Sequence, residues 1–588
     1  MQQCWLVKNA ELARIFREIA AYLEMDGVPF KPRAYEKAGE SIEALGRPIE
    51  EIFGQGGLRA LEQIPGVGKS FAEKIHEFLD TGKVTVHDEL RRKMPIDLAA
   101  LLAIEGLGPK GIKTLYDHLG IRTVGDLEAA AHAGRLHHVP GFGEKSEQKL
   151  LRGIAFLRQQ SGRLPIGRAL PLAREIEARF KSVPGIKEVA IAGSLRRRKE
   201  TIGDIDLLVV STQPERVMEE LVSLPEVAAV HARGETKSSV RLSIGIDVDL
   251  RVVPEESFGA ALQYFTGSKD HGVACRKLAM EKGLKLNEYG VFRGERRIAG
   301  TSEEEVYEAL GLPWIPPELR ENRGEIAAAL SGELPQLLEY GGLRGDLQTQ
   351  TNWTDGADSI EEMARAARQL GLEYIAVTDH TRSLAMTGGS DEKKLRRQMK
   401  EIDRLNRKIR GIRILKGAEV NINRDGTLDI DDETLAELDV VGVAVHSLFN
   451  LRRPEMTERI CRAMRNPQAD ILFHPTGRVL QKREAYEVDI DEVIHTAVKT
   501  GTVLEIDAFP DRLDLNDEHC RRAAQAGAKL VIDSDAHATG HFGFLDYGIA
   551  VARRGGVEQE KILNARPVED LLAALKDGRR LRRRKAKT

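Results

Sequence analysis

Asp204 and Asp206 stand two residues apart in the run Ile202 to Val210, whose apolar residues alternate as in a strand. Both carboxylates therefore project from one side of a sheet, while Ile205, Leu207 and Val209 project from the other. Two such charges repel, and unless one is protonated the pair calls for a cation. A hard divalent ion with oxygen ligands, Mg²⁺ above all, suits it. Just ahead, Gly193-Ser194 and Arg196, Arg197 and Arg198 offer backbone amides, a hydroxyl and guanidinium forks that match phosphate oxygens. The spacing predicts a triphosphate cradle beside a metal site. An in-line displacement run by two ions needs a further carboxylate. Val240 to Val253 offers candidates: Val240, Leu242, Ile244, Ile246, Val248, Leu250 and Val252 form one unbroken apolar face, with Asp247 and Asp249 on the other. An isolated Asp-x-Asp is also an ordinary solvated strand face. The Gly-Ser before it and the second acid-bearing strand favour the metal reading.

A second constellation occupies the last 250 residues. Apolar strands alternate with helices there: Tyr374 to Thr378, Ile412 to Lys416, Val440 to Val445, Ile471 to Phe473, Val503 to Ile506 and Leu530 to Ile532. Polar residues follow just past the strand ends, as Asp379-His380, Glu419, His446, His474-Pro475, Asp507 and Asp535-Ala536-His537. Barrels of alternating strand and helix carry their chemistry at that rim. A lone histidine at a strand end is usually satisfied locally, but several histidines and acids on one rim are better explained by a metal cluster.

These sites must be brought to a substrate, and the first 160 residues predict how. Gly66-Val67-Gly68, Gly106-Leu107-Gly108 and Gly141-Phe142-Gly143 are each followed by a helix. Such a turn leaves backbone N–H groups free at the helix start, where a phosphate accepts them. One copy is an ordinary tight turn; three, each opening a helix, are hard to assign to chance.

Composition bounds the rest. A chain of 588 residues holds three to five folding units. No apolar run is long enough to span a bilayer, and Lys8, Glu11, Arg14, Arg17 and Glu18 break up the amino terminus in a way that argues against a signal peptide. Cys4, Cys275, Cys461 and Cys520 form no Cys-x-x-Cys pair, so reduced thiols in a cytosol are expected. A net charge of −3 does not announce a nucleic-acid binder, so any DNA contact must come from local basic surface or backbone amides. The closing run from Arg579 to Lys587 predicts a disordered basic tail that adds salt-sensitive attraction.

Gly193 to Asp206, the strand ending Asp249-Leu250-Arg251, and Tyr264-Phe265-Thr266-Gly267-Ser268 resemble the palm and nucleotide-binding motifs of the family X DNA polymerases, in order and spacing. Asn287-Glu288-Tyr289-Gly290 is similar to part of the family's thumb, and the three hairpins resemble helix-hairpin-helix motifs. The resemblance implies that Asp204, Asp206 and Asp249 are the catalytic, metal-binding carboxylates, with Asp247 a neighbour. It implies that Gly193, Ser194, Arg197 and Gly203 contact the triphosphate, that Tyr264, Phe265 and Gly267 line the sugar side of the nucleotide, and that Arg276 is a minor-groove arginine. Gly272 stands where the family often has a nucleotide-contacting asparagine. Lys74 matches a lyase lysine of some members, with Lys31 and Tyr35 as neighbours.

The C-terminal part resembles the PHP (polymerase and histidinol phosphatase) domain of bacterial members, with Asp355, His380, Glu419, His446, His474, Asp535 and His537 as implied metal ligands. It departs at the first strand, where the family has a His-x-His pair and this chain reads Asp346-Leu347-Gln348-Thr349-Gln350. A glutamine carbonyl is a far poorer ligand than imidazole. By the family's wiring, the site losing that pair keeps only Glu419 and Asp535, while Glu419, His446 and His474, and Asp355, His380 and His537, remain whole.

The implied fold is multidomain. It comprises an N-terminal helical unit (1–85), a fingers-like helical unit with two hairpins (86–160), an α+β nucleotidyltransferase palm (161–254), a thumb-like unit (255–317), a linker (318–340), a distorted (β/α)7 PHP barrel (341–575) and the basic tail (576–588). The implied function is template-directed filling of short gaps in DNA repair. Mg or Mn serves the palm, and Zn or Mn serves an incompletely occupied barrel whose nuclease activity the glutamines weaken. Gapped or nicked duplex DNA and deoxynucleoside triphosphates are the expected partners of a cytoplasmic, nucleoid-associated monomer. The alternatives are a Mn-dependent 3′–5′ exonuclease or abasic-site endonuclease in the barrel, a barrel that is a non-catalytic scaffold, and, more distantly, a template-independent nucleotidyltransferase.

Overall fold

The computed structural model describes residues 5–575 except 44, 46, 47, 65, 105, 161, 385 and 386. The basic run 579–587 lies outside the described residues. The described residues up to 160 form helices and turns, and the three Gly-x-Gly turns share one geometry. The amides of Val67, Leu107 and Phe142 donate to the carbonyls of Ile64 (2.9 Å), Ile104 (3.1 Å) and Val139 (3.0 Å). In each turn the first glycine holds a left-handed backbone (Gly66 φ +77°, Gly106 φ +86°, Gly141 φ +86°) that a side chain resists. The second glycine directly precedes the helix Lys69–Thr81, Pro109–Leu119 or Glu144–Gln160. Val67 and Leu107 are buried in two separate apolar cores, and Phe142 packs against the second of them.

The palm is a five-stranded sheet in the order Ile186–Ile191, Asp204–Ser211, Asp247–Val253, Lys237–Leu242, Val227–Arg233. Asp204–Ser211 and Asp247–Val253 run parallel, and the other pairings are antiparallel. The apolar alternation from Val240 to Val253 does not belong to one strand, as its unbroken pattern suggests. The chain turns back on itself at Ser243-Ile244-Gly245, with Gly245 at φ +87° and its amide on the Leu242 carbonyl. An odd-numbered loop in a hairpin keeps the alternation in phase across the turn, which hides it from a periodicity argument. Ile244 is the apolar residue that becomes exposed.

Helices Phe258–Thr266 and Lys269–Glu281 and a small antiparallel sheet (Lys285–Asn287, Gly290–Arg293, Arg296–Ala299) follow the palm. The stretch 318–340, expected from its charge to be a linker, is tied down by buried polar pairs. Arg320 is fully buried and forks onto Glu303 (2.6 and 3.2 Å), Glu318 pairs with Arg553 (3.0 Å), and Glu325 pairs with His271 (2.6 Å). Breaking the Arg320–Glu303 or Arg553–Glu318 pair would leave an uncompensated buried charge, so each holds its segments in one arrangement.

The C-terminal region is a nearly closed barrel of seven parallel strands in sequential order: Gly345–Thr349, Tyr374–Val377, Arg413–Asn421, Val440–Ala444, Ile471–Leu472, Val503–Asp507 and Leu530–Asp533. A parallel bridge between Thr349 and Ala536 brings the last strand back to the first. Inward-facing Leu347, Tyr374, Ala376, Leu415, Val440, Ile471, Phe473 and Val531 form an apolar interior closed from below by Leu571, Leu572 and Leu575. Glu419 and Asp507 lie within strands, not past their ends as expected. Arg413–Asn421 is longer because its first half pairs with Tyr374–Val377 and its second half with Val440–Ala444.

Candidate functional site

The parallel pairing in the palm sets Asp206 opposite Asp249 and Asp204 opposite Asp247. Asp206 and Asp249 are half-buried and Asp204 is exposed. Burial, then the charges of Asp204 and Asp249, push the Asp206 carboxyl up to about 7. Burial and Asp249 raise Asp204 as well. Asp247 is engaged by Arg241 (2.5 Å) and His231 (3.2 Å) and is thereby less open to a cation than Asp249, whose Oδ2 lies 3.8 Å from Lys237 Nζ. Among the described residues Asp204, Asp206 and Asp249 do not gather their oxygens within 4.8 Å of one another as the barrel ligands do.

The one-turn helix Gly193–Arg196 abuts this trio. Gly193 holds φ +62°, and a Cβ there would fall well inside contact distance of Asp206 Oδ2. Gly193→Ala is therefore expected to displace the Asp206 carboxylate and lower primer extension by about 100-fold, the scale of an ångström-sized misplacement of a reacting group. Single-turnover extension checks this, and a near wild-type rate would show that Asp206 has room to move.

Of the three arginines beside the cradle, two serve the fold. Arg196 forks onto Glu303 (2.8 and 2.7 Å), and Arg198 lies over the Tyr340 ring, 5.3 Å from its centroid. Arg197 donates through Nε to Glu321 (3.1 Å) and through Nη1 to the Thr266 carbonyl. Ser194 is half-buried, and Gly203 faces Arg163, whose Nη1 would lie 3.1 Å from a Cβ there. Tyr264 and Phe265 meet edge-on at 5.0 Å, with Arg251 over Phe265 (4.5 Å) and Arg276 over Tyr264 (5.8 Å). Gly267 and Arg197 touch, since a Cβ on Gly267 would be 3.1 Å from Arg197 Nη1. Cradle, aromatic pair and acids thus meet in one place.

On the barrel rim, His446 Nε2 and His474 Nε2 converge on one oxygen of Glu419, at 2.9 and 2.8 Å. His380 stands between Glu419 (3.3 Å) and Asp355 (3.3 Å), and His537 lies 3.8 Å from Asp355. Asp355, His380 and His537, and His380, Glu419 and His446, each present ligand atoms within 4.8 Å of one another. Imidazole and carboxylate donors in such threes suit Zn²⁺ or Mn²⁺. His446 Nδ1 faces Asn421 Oδ1 (2.7 Å), which orients the ring toward Glu419. His474 and Asp535 hold left-handed backbones (φ +29° and +49°), strain of a kind that clusters at functional sites.

The departure from the family pattern has a structural counterpart. Gln350 Nε2 donates to Glu419 Oε2 (2.8 Å), and the side-chain amide of Gln348 lies against both oxygens of Glu505 (2.6 and 3.3 Å). Asp535, the acid expected to share that third site, sits 3.7 Å from Arg512, which also lies 3.5 Å from Asp507. Asp507 was expected on the rim, but Arg512 and the buried acids Asp346, Glu505 and Asp533 were not among the expected site residues. Asp346, Glu505 and Asp533 lie within apolar strands and Arg512 in a turn beyond one, so none of them gave a rim signal. Burial and mutual repulsion raise all four of these acids, Asp346 to about 7.

These shifts give each centre its own pH dependence. A cation binds ionised Asp206, so affinity in the palm is expected to climb by up to about tenfold per pH unit and level off above about pH 7. In the barrel, burial opposes protonation of His380, but Glu419 and Asp355 outweigh it and raise the imidazolium to about 9. That proton must leave before His380 can ligate, so affinity there continues to rise between about pH 7 and 9. Mn²⁺ titration calorimetry of the wild type and of Asp249→Ala, in buffers of different ionisation heat, counts the protons released. A pH-independent affinity in the barrel would contradict this.

Lys74 is held inside its own helix by Ser70 Oγ (2.9 Å) and the Ser70 carbonyl (3.1 Å), the geometry of a solvated helical lysine.

A polymerase-type palm with its thumb, preceded by three helix-hairpin-helix turns and followed by a barrel that gathers histidines and acids on its rim, defines a nucleotidyltransferase of the polymerase beta class joined to a PHP domain. Family models agree segment by segment: a helix-hairpin-helix domain over residues 7–84, a SAM-like helix-hairpin-helix tandem over 98–155, the DNA polymerase beta thumb over 261–321 and the PHP domain over 346–546. The DNA polymerase/3′-5′ exonuclease PolX of Bacillus subtilis (strain 168) is 40% identical over 571 residues, covering 96% of this chain and 99% of that protein. DNA polymerase lambda of Rattus norvegicus is 25% identical over 346 residues, 53% of this chain and 56% of that protein. A probable phosphatase of Thermoanaerobacter sp. (strain X514) is 30% identical over 216 residues, 35% of this chain and 83% of that protein. The chain belongs to the PolX family of bacterial family X DNA polymerases. Enzymes of this kind work with divalent metal ions, DNA and deoxynucleoside triphosphates. No helix among the described residues is long and apolar enough to cross a membrane.

Proposed function

We propose that the chain fills short gaps in duplex DNA by template-directed nucleotidyl transfer, with Asp204, Asp206 and Asp249 as the catalytic acids. The observation that carries this reading is the parallel register that faces Asp206 with Asp249 while Gly193 presses the phosphate cradle against Asp206. Bound by these acids, Mg²⁺ or Mn²⁺ supplies the charge neutralisation that an in-line displacement needs at its attacking and leaving oxygens. Ser194, the amides of the Gly193 turn and Arg197 hold the triphosphate. Tyr264, Phe265 and Gly267 line the sugar, and Arg276, stacked on Tyr264, faces the minor groove. Gly66, Val67 and Gly68 grip the DNA on one side of the gap, and the turns at Gly106, Leu107 and Gly108 and at Gly141, Phe142 and Gly143 grip it on the other.

In the barrel, Asp355, His380, Glu419, His446, His474, Asp535 and His537 hold Zn²⁺ or Mn²⁺, with fewer ions than a complete site. The amides of Gln348 and Gln350, tied to Glu505 and Glu419, weaken phosphodiester hydrolysis there. The clusters of Asp355, His380 and His537 and of His380, Glu419 and His446, which share His380 where His474 was expected in the second, favour, as a second reading, a residual Mn-dependent 3′–5′ exonuclease or abasic-site endonuclease.

Comparison of a one-nucleotide gap carrying a 5′-phosphate with an open primer-template tests the gap-filling reading. The gapped substrate should be extended at least about tenfold more efficiently at limiting enzyme, because hairpins on both sides engage it. Equal efficiency would remove gap filling and leave a general polymerase.

A further inference from the structure

The stretch 197–200, which follows the phosphate cradle in the chain, is held by the barrel at two points. Arg554 ends the barrel helix Leu545–Arg554, and its side chain is 3% exposed. Its Nη1 donates to the backbone carbonyl of Arg197 (2.7 Å) and to Glu321 Oε1 (2.9 Å), and its Nη2 to Asp517 Oδ2 (2.8 Å). Glu321 in turn accepts from Arg197 Nε (3.1 Å) and lies 3.7 Å from Lys199 Nζ. Three residues on, Glu200 pairs with Arg478, which follows His474 on the barrel rim (2.7 and 3.3 Å). Between the two anchors Arg198 holds a left-handed backbone, φ +57°, a conformation that persists only where surroundings over-determine it.

We propose that the PHP barrel buttresses the triphosphate-binding loop of the palm, with Arg554 acting through Glu321 and the Arg197 carbonyl as a positioning residue for the incoming nucleotide. The inference rests on the polymerase reading above. A loop ordered before binding does not have to be ordered by the ligand, so the buttress acts on nucleotide affinity and not on the chemical step. It also gives the barrel a role in polymerisation that is independent of its metal ligands. Arginine suits the position because one planar fork spans a carbonyl and two carboxylates, which a point charge does less well.

The test uses the full-length protein, bound to gapped DNA whose primer ends in a dideoxynucleotide. A fluorescent deoxynucleoside triphosphate is titrated onto this complex for the wild type, Arg554→Ala and Arg554→Lys, with kcat and KM measured on extendable primer. Arg554→Ala should weaken nucleotide binding and raise KM by about tenfold, with kcat within about threefold and gapped-DNA affinity unchanged. Arg554→Lys, which keeps the charge against Glu321 and Asp517 and so protects the fold, should fall between. A folded Arg554→Ala or Arg554→Lys variant with wild-type nucleotide affinity overturns the inference, as does a fall of kcat and DNA affinity in step with the rise in KM. A wild type that neither extends the primer nor binds the nucleotide overturns the polymerase reading itself, whereas an active wild type with unmoved variants overturns the buttress alone.

Discussion

Asp206→Asn is expected to lower primer extension by about 10³-fold or more while leaving gapped-DNA affinity unchanged and raising the melting temperature. The amide keeps the volume of the carboxylate, so the strand register opposite Asp249 and the contact with Gly193 survive. What is lost is a negative charge that acts where charge develops during the reaction, and removal of such a group typically costs two to four orders of magnitude, so about 10³-fold is the scale. The stability change runs the other way. Asp206 is raised to about 7 because burial and two neighbouring carboxylates penalise its charged form, so above that pH the folded state carries a strain that asparagine removes. Thermal melting near pH 8 in chelator, beside single-turnover extension, checks both halves. A variant both inactive and destabilised would place Asp206 in the fold instead of the chemistry.

The paired change Gln348→His with Gln350→His is expected to add metal to the barrel and to raise Mn²⁺-dependent shortening of a primer by about 10- to 100-fold, the range in which ligand surroundings alter metal affinity and activity. Gln350 already reaches Glu419, and Gln348 already reaches Glu505, so imidazoles at these positions would enter the same acid-lined space. They would also bring neutral, strong donors where the glutamines offer weak carbonyl oxygens. Arg512 is the competitor, since its guanidinium stands between Asp507 and Asp535. Elemental analysis of the purified proteins alongside degradation of a 3′-end-labelled strand reads the outcome. An unchanged ion count would mean that the glutamines are not what limits the site.

Much of this was legible in the sequence where a residue's spacing is its geometry. Asp204 and Asp206 share a strand face because side chains alternate, and the three hairpins repeat because glycine alone accepts the φ of Gly66, Gly106 and Gly141 without strain. The barrel rim could be read from polar residues recurring after apolar strands. What could not be read was pairing between distant segments. The turn at Ser243-Ile244-Gly245 hid behind an unbroken apolar pattern, and the length of Arg413–Asn421 depends on two different neighbours. The stretch 318–340 looked like a partly helical linker because its charges are those of a surface. Its Glu318, Arg320 and Glu325 are instead buried against Arg553, Glu303 and His271, which lie 235, 17 and 54 residues away in sequence. A charge run reveals whether it is paired only when the partners are known.

The most direct test of the central claim, that the palm is the working polymerase, follows a 5′-labelled primer on a one-nucleotide-gapped duplex. Mg²⁺ or Mn²⁺ is supplied, with and without nucleotides, to the wild type and Asp249→Ala. The account predicts addition of a nucleotide by the wild type, none by the variant, and at most slow, Mn²⁺-dependent shortening that is the same in both. Extension that survives Asp249→Ala, or a wild type that does not extend the primer at all, would contradict it.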